Sequence, residues 1–172
     1  MKPLLLFPLA LFAFSCSTTT NTVDSKSTTM GNSKIDSTCP ENVDCTFEIV
    51  QNKSLVVHTD EFGKSYYQLT DNPETVVFKY QHKLRTDKDL VDAGYLEEVL
   101  FEMDKNYGDF SFSGKELQKT KLILNVMCFC RSGKAGAHKI SEGSIVKKGK
   151  QLSISLPKIV DDQKTTELKI TL

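Results

Sequence analysis

Cys39, Cys45, Cys128 and Cys130 are the side chains with the most chemistry to offer in this chain, with a fifth cysteine, Cys16, standing apart near its start. Two chemistries compete for them: thiolates bind soft metals and exchange electrons, while paired sulfurs cross-link. Met127, Cys128 and Cys130 supply closely spaced soft ligands, and His138 follows after a loop, a set that would suit Cu(I). Against it, Cys128 and Cys130 fall on the same strand face as Leu122, Leu124 and Val126, where cysteines ordinarily pack or pair. The spacing is neither the Cys-x-x-Cys of a dithiol redox site nor the doubled Cys-x-x-Cys of a zinc ribbon. All four are therefore read as disulfide candidates, with no resident metal or cofactor. Cys39 and Cys45 enclose Pro-Glu-Asn-Val-Asp, a polar loop short enough to close locally. On a continuous strand the Cα atoms of Cys128 and Cys130 would lie about 6.6–6.8 Å apart, the outer limit for a bridge, so pairing there needs a bulge. Cross-pairing between the two sets stays open.

The loop Arg131-Ser132-Gly133-Lys134-Ala135-Gly136-Ala137-His138-Lys139 is basic and bears glycines, which suits an anion. It lacks the Gly-x-x-x-x-Gly-Lys-Ser/Thr order of a P-loop and the helix that must follow. It is read as an exposed loop and, together with the turn at Tyr107, as the candidate binding rim: Tyr107, Arg131, Lys134 and His138. His58, His82 and His138 lie on separate elements, and alternation sends Glu97 and Glu98 to opposite faces of one strand. Neither set makes a catalytic dyad, so no catalytic residue is assigned.

The elements that must position these groups are strands. Val76, Phe78, Tyr80 and His82 share one face with Lys79, Gln81 and Lys83 on the other; Leu152, Ile154 and Leu156 alternate with serines; Leu168, Ile170 and Leu172 alternate with polar residues. Further strands are expected at Thr46 to Val50, Ser54 to His58, Ser65 to Leu69, Tyr95 to Met103, Asp109 to Ser113, Lys119 to Arg131 and Gly143 to Val146, separated by polar turns. Lys119 to Arg131 is apolar on both faces, as a central strand covered on both sides would be. Lys88 to Tyr95 is the one stretch that suits a helical turn. The prediction is an all-β domain of about nine or ten short strands, either an antiparallel sandwich or a closed barrel.

The chain carries 22 basic and 22 acidic side chains, and no basic stripe of the kind nucleic acid demands, so DNA and RNA are excluded as principal partners. Residues 39–172 are a comfortable length for one domain, with no repeat or second linker to divide them.

Ahead of that domain, Met-Lys-Pro leads into the apolar run Leu4 to Phe14 and then Ser15-Cys16. An apolar run of roughly 10 residues suits a secretion signal, whereas a membrane span needs about 20. Ala13-Phe14-Ser15-Cys16 resembles a bacterial lipobox, in which the cysteine thiol takes a diacylglycerol and becomes the acylated, palmitate-bearing first residue. The organisation expected is thus a signal peptide over residues 1–15, a lipid-anchored tether over 16–38, and the β domain over 39–172. The tether is dominated by Ser and Thr and cannot bury enough surface to offset its ordering entropy. As a coil it spans on the order of 25 Å, and at most about 75 Å when extended. Asp36-Ser37-Thr38 resembles a short O-glycosylation acceptor used in Bacteroidota, with Ser37 as the modified residue.

The lipobox, the tether, Cys39-Pro40-Glu41-Asn42-Val43-Asp44-Cys45-Thr46, Asn52-Lys53-Ser54-Leu55 and Met127-Cys128-Phe129-Cys130-Arg131 together resemble small lipoproteins of flavobacteria and other Bacteroidota. That resemblance implies an envelope location and carries no activity with it. Ser17 after the lipidated cysteine favours the outer membrane, and the lack of an acidic cluster there favours its periplasmic face over surface export. Three functions follow as expectations: a non-enzymatic structural module or one that binds an envelope protein or glycan, a carrier holding a small apolar ligand in a barrel cavity, and a thiol redox or copper-handling protein using Cys128 and Cys130.

Overall fold

The computed structural model describes residues 33–86, 94–130 and 134–172. Its strands are β1 (Lys34–Ile35), β2 (Val43–Thr59), β3 (Ser65–Leu84), β4 (Tyr95–Asp104), β5 (Phe110–Ser113), β6 (Ile123–Cys128), β7 (Gly136–Lys139), β8 (Ser144–Lys148), β9 (Gln151–Ser155) and β10 (Glu167–Thr171), with a 3-10 helix over Gly114–Thr120. They form two antiparallel five-stranded sheets, in the orders β1-β10-β9-β8-β5 and β2-β3-β4-β6-β7. Neither sheet closes on itself, so the domain is a sandwich and the barrel alternative falls. Among the described residues no helix is long and apolar enough to cross a membrane.

The core follows from the alternation. Val76, Phe78 and Tyr80 of β3, Val99 and Phe101 of β4, and Leu124 and Val126 of β6 face Ile145, Leu152, Ile154, Leu168 and Ile170 of the opposing sheet. Phe78 and Phe101 are stacked at 4.6 Å and fully buried, each removal from water being worth about 2–3 kcal/mol. Tyr107 and Phe110 meet Phe78 edge-on at 5.0 and 6.4 Å and close that end of the sandwich.

The four short strands expected from Thr46 to His82 are really two long ones. β2 and β3 pair as a single hairpin from Val43↔Leu84 to Thr59↔Ser65, interrupted by a register shift between Gln51 and Lys53. Asn52 takes a left-handed conformation there (φ 57°), which a short polar side chain tolerates. Beyond this bulge the hairpin arm lies over the outer face of its own sheet. Leu55, with Val57 and Leu69, packs on Val77, Leu100, Ile123 and Ala137 in a second, smaller core. β6 is thereby covered on both faces, as its doubly apolar sequence requires. The arm approaches so closely that a side chain at Gly136 would meet the Ser65 carbonyl at 3.0 Å.

Three boundaries differ from expectation. Lys34 and Ile35 pair with Ile170 and Thr171, and the backbone amides of Asp36 and Ser37 donate to the Lys169 carbonyl, so the end of the expected tether belongs to the domain. The strand foreseen over Lys119 to Arg131 is confined to Ile123–Cys128, because the 3-10 helix occupies Gly114–Thr120 and Lys121 ends it at φ 54°. The edge strand β7 was hidden inside the glycine-bearing loop. The signal peptide, most of the tether and most of Lys88 to Tyr95 lie outside the described residues.

Candidate functional site

At the end of the sandwich where β3 finishes, β4 starts and β6 finishes, the two sheets part around a cleft of about 570 Å³. Five pieces of chain wall it: the entry segment from Ser37 to Val43, the end of β3, Tyr95 at the start of β4, the end of β6 with Cys130 and Lys134 beyond it, and the stretch from Val160 to Leu168. Val43, Leu84, Val126, Val160 and Leu168 supply its apolar surface.

The β9–β10 connection is held in place by one carboxylate. Glu97 is fully buried on the inner face of β4, with Oε1 accepting from the Lys164 amide at 2.7 Å and Oε2 from the Thr165 amide at 2.7 Å. The Tyr95 hydroxyl also donates to Oε1. Gln163 completes the loop from within: its Oε1 accepts from the Ile159 amide at 2.7 Å, and its Nε2 donates to the Pro157 and Thr165 carbonyls at 3.0 and 2.7 Å. A charge so deep in the fold persists because every donor it meets is already aimed at it.

Two polar side chains on β3 line the cleft. Tyr80 and His82 are 5% and 9% exposed and line the cavity, yet neither makes a hydrogen bond among the described residues. Burial pushes the His82 imidazole below its ordinary value; Glu97 pulls it back and Lys164 adds to the depression, so it is neutral at pH 7. Burial, and then the Glu97 charge, raise the Tyr80 phenol. A third group joins them: Thr165 Oγ1 is buried with no partner, on a residue of the same wall. Buried polar groups are nearly always satisfied, so the unpaired Thr165 Oγ1, next to two side chains with no hydrogen bond among the described residues, marks a place with hydrogen-bonding capacity to spare.

No protein-family model, curated protein or solved structure matches the chain.

The sulfurs stand beside this cleft. Cys39 pairs with Cys45 (Cα–Cα 6.0 Å), clamping the entry segment that carries Pro40 and Asn42 to the wall; Cys128 pairs with Cys130 (Cα–Cα 5.2 Å). The second bridge forms because β6 ends at Cys128 and Cys130 has left the strand, which removes the spacing problem of a continuous one. Cross-pairing is thereby excluded. Of the Cu(I) set, Cys128 and Cys130 are bridged to each other, and Met127, paired with Leu96, alternates to the face opposite Cys128. Among the described residues no group of three His, Cys, Asp or Glu side chains is placed to hold a metal.

The candidate rim does not assemble as one surface. Tyr107 follows the far end of β4, packed on Phe78 with Lys147 Nζ 5.7 Å above its ring, and the ten-residue length of β4, about 30 Å, separates it from the cleft. Lys134 does reach the cleft, where it donates to Asp162. His138 is half-buried on β7 and bonds the Lys134 carbonyl at 3.0 Å, supporting that lysine from behind. Arg131 and Cys16 lie outside the described residues. Ser37 is no free tether hydroxyl: its Oγ accepts from the Lys169 amide at 2.7 Å on the lip of the cleft.

Sequence reasoning placed Tyr80 and His82 on the apolar face of their strand and went no further; a histidine ending such a face was the available signal. Glu97 was set aside because alternation parts it from Glu98. Thr165, Lys164 and Asp162 gave no local sign, since their loop is placed by a carboxylate 68 residues away.

Proposed function

We propose that this chain is a lipid-anchored cell-envelope protein whose β domain is a non-enzymatic binding module, with the end cleft as its ligand site. The observation that carries the reading is the convergence of Tyr80, His82 and Thr165, buried residues whose side chains make no hydrogen bond among the described residues, on a mostly apolar cleft of about 570 Å³. That is the size and make-up of a small-molecule site: apolar walls with a few polar groups that orient the guest. The carrier function foreseen for a barrel passes to the open end of a sandwich. Support for the anchor is the Ala13-Phe14-Ser15-Cys16 quartet; Ser17 after it supports outer-membrane retention facing the periplasm. An oxidising compartment agrees with two cysteine pairs at bonding distance.

Two measurements test the two halves. Intact mass of detergent-extracted protein should show a mature start at Cys16 with added acyl mass; an unacylated start elsewhere removes the anchor. An environment-sensitive apolar dye should bind the purified domain at one site, and Asn42→Trp, which fills the cleft from its exposed lip, should abolish the signal without lowering thermal stability. Dye binding unaffected by N42W would place the site elsewhere.

Thiol–disulfide exchange is the second reading, favoured by the exposure of Cys130 beside the cleft. A partner dithiol would attack one sulfur through its thiolate, form a mixed disulfide and leave oxidised as the Cys128 and Cys130 thiols form. Brief treatment with a dithiol followed by alkylation should then label Cys128 and Cys130 ahead of Cys39 and Cys45; the reverse order, or no labelling, argues against it.

A further inference from the structure

We infer that the cleft selects an uncharged amphiphile, a molecule with an apolar body and one neutral hydrogen-bonding head that meets Tyr80, His82 and Thr165. This deepens the binding reading above and rests on it. The argument is one of charge. The charged side chains of the lining are Lys134, Asp162, Lys164 and Glu167, which sum to zero, and Lys134 and Asp162 are already paired with each other. Behind them Glu97 is fully buried and fully engaged by three donors, so it offers no lone ion-pairing partner to a cationic head. Its negative charge nonetheless lies against the floor on which an anionic head would rest. Lys164 and Glu167 are exposed at the rim, in solvent, so on the floor beside Tyr80 and His82 either kind of ion would lose its hydration with no free counter-charge beside it.

What the floor does return is neutral hydrogen bonding of both polarities. A phenol and a threonine hydroxyl each donate and accept, and a neutral imidazole donates from one nitrogen and accepts at the other. Among the described residues these three side chains make no hydrogen bond, so a hydroxyl or amide head gains bonds without displacing any seen there. Val43, Leu84, Val126, Val160 and Leu168 then cover the apolar body.

Four probes of equal chain length decide the matter: decan-1-ol, decanamide, decanoate and decylammonium, each competing with the apolar dye on the full folded domain at pH 7. The two neutral probes should displace the dye at least about tenfold more strongly than either ion. Tyr80→Phe should weaken decan-1-ol several-fold while leaving thermal stability unchanged, because the hydroxyl it removes bonds none of the described residues. Decanoate or decylammonium competing as well as the neutral probes would overturn the proposal while the cleft reading stands. So would Y80F leaving the neutral probes unaffected, since their heads would then rest elsewhere. If the dye itself fails to bind, the cleft reading falls and this inference with it.

Discussion

Glu97 and Glu98 are adjacent in sequence and buried on opposite faces of the same strand, each tying β4 to a different layer of the molecule. Glu97 points inward and holds the β9–β10 connection through the Lys164 and Thr165 amides. Glu98 points outward and accepts from Tyr67 at 2.8 Å, Gln81 at 2.7 Å and Asn125 at 2.8 Å beneath the folded-over hairpin arm, with Lys79 at 3.4 Å. β4 is buried on both faces because the arm covers the second one.

Removing the inner carboxylate should loosen the wall of the cleft. Glu97→Ala leaves two buried amides and the Tyr95 hydroxyl without their acceptor, a loss of about 2–4 kcal/mol at one to three kcal/mol per unsatisfied group with partial relaxation. Hydrogen exchange at Lys164 and Thr165 should accelerate more than at the β3–β4 ladder. Uniform protection across both would show that Glu97 does not anchor the loop.

The outer face should make the domain acid-labile. Burial raises the Glu98 carboxyl, but the hydrogen bonds from Gln81, Tyr67 and Asn125 and the Lys79 charge outweigh it and leave it below its ordinary value. Glu102 behaves alike: burial is outweighed by Lys121, Ser54 and the Leu55 amide. A carboxyl depressed by folding contributes its stability above its unfolded value, and loses it as pH falls through the folded one. Urea midpoints should therefore decline from about pH 5 downward, and Glu98→Gln with Glu102→Gln should flatten that decline while lowering stability at pH 7. An unaltered slope in the double variant would assign acid sensitivity to other groups.

Two glycines separate steric from conformational cost. A Cβ at Gly143 would lie 2.1 Å from the Ser155 carbonyl oxygen at φ +96°, whereas Gly149 at φ +57° has open space around it. Gly149→Ala should cost about 1 kcal/mol for its left-handed backbone alone. Gly143→Ala should cost well over that, on the order of 3 kcal/mol, because β8 and β9 must separate to admit it. Thermal denaturation of the pair checks the ranking, and equal effects would contradict it.

The aromatic cluster should dominate the main core. Phe101→Ala deletes a ring stacked at 4.6 Å on Phe78 and should destabilise by about 3–5 kcal/mol. Leu55→Ala, in the smaller outer core, should cost about 2–3 kcal/mol and chiefly release the hairpin arm. Proteolysis near Phe62, 81% exposed at the hairpin tip, would report that release; a cut rate unchanged in L55A would mean the arm is held by its polar latches alone.

Local pattern was enough to establish that the domain is built of antiparallel strands, where most of its turns fall, and that Cys39 and Cys45 are within reach of each other, because side-chain alternation and short-loop closure involve only neighbouring residues. Resemblance to a lipobox is equally local. The choice of sandwich over barrel, the folding of one hairpin across its own sheet, the double burial of Glu97 and Glu98, and the cleft that gathers Tyr80, His82 and Thr165 came only with tertiary structure. They depend on which distant layers cover which face, and a period of two residues says only that a face exists. Alternation could put His82 on the inner face, but it took a distant loop, anchored by Glu97 directly opposite His82 on β4, to turn the end of that face into a cavity.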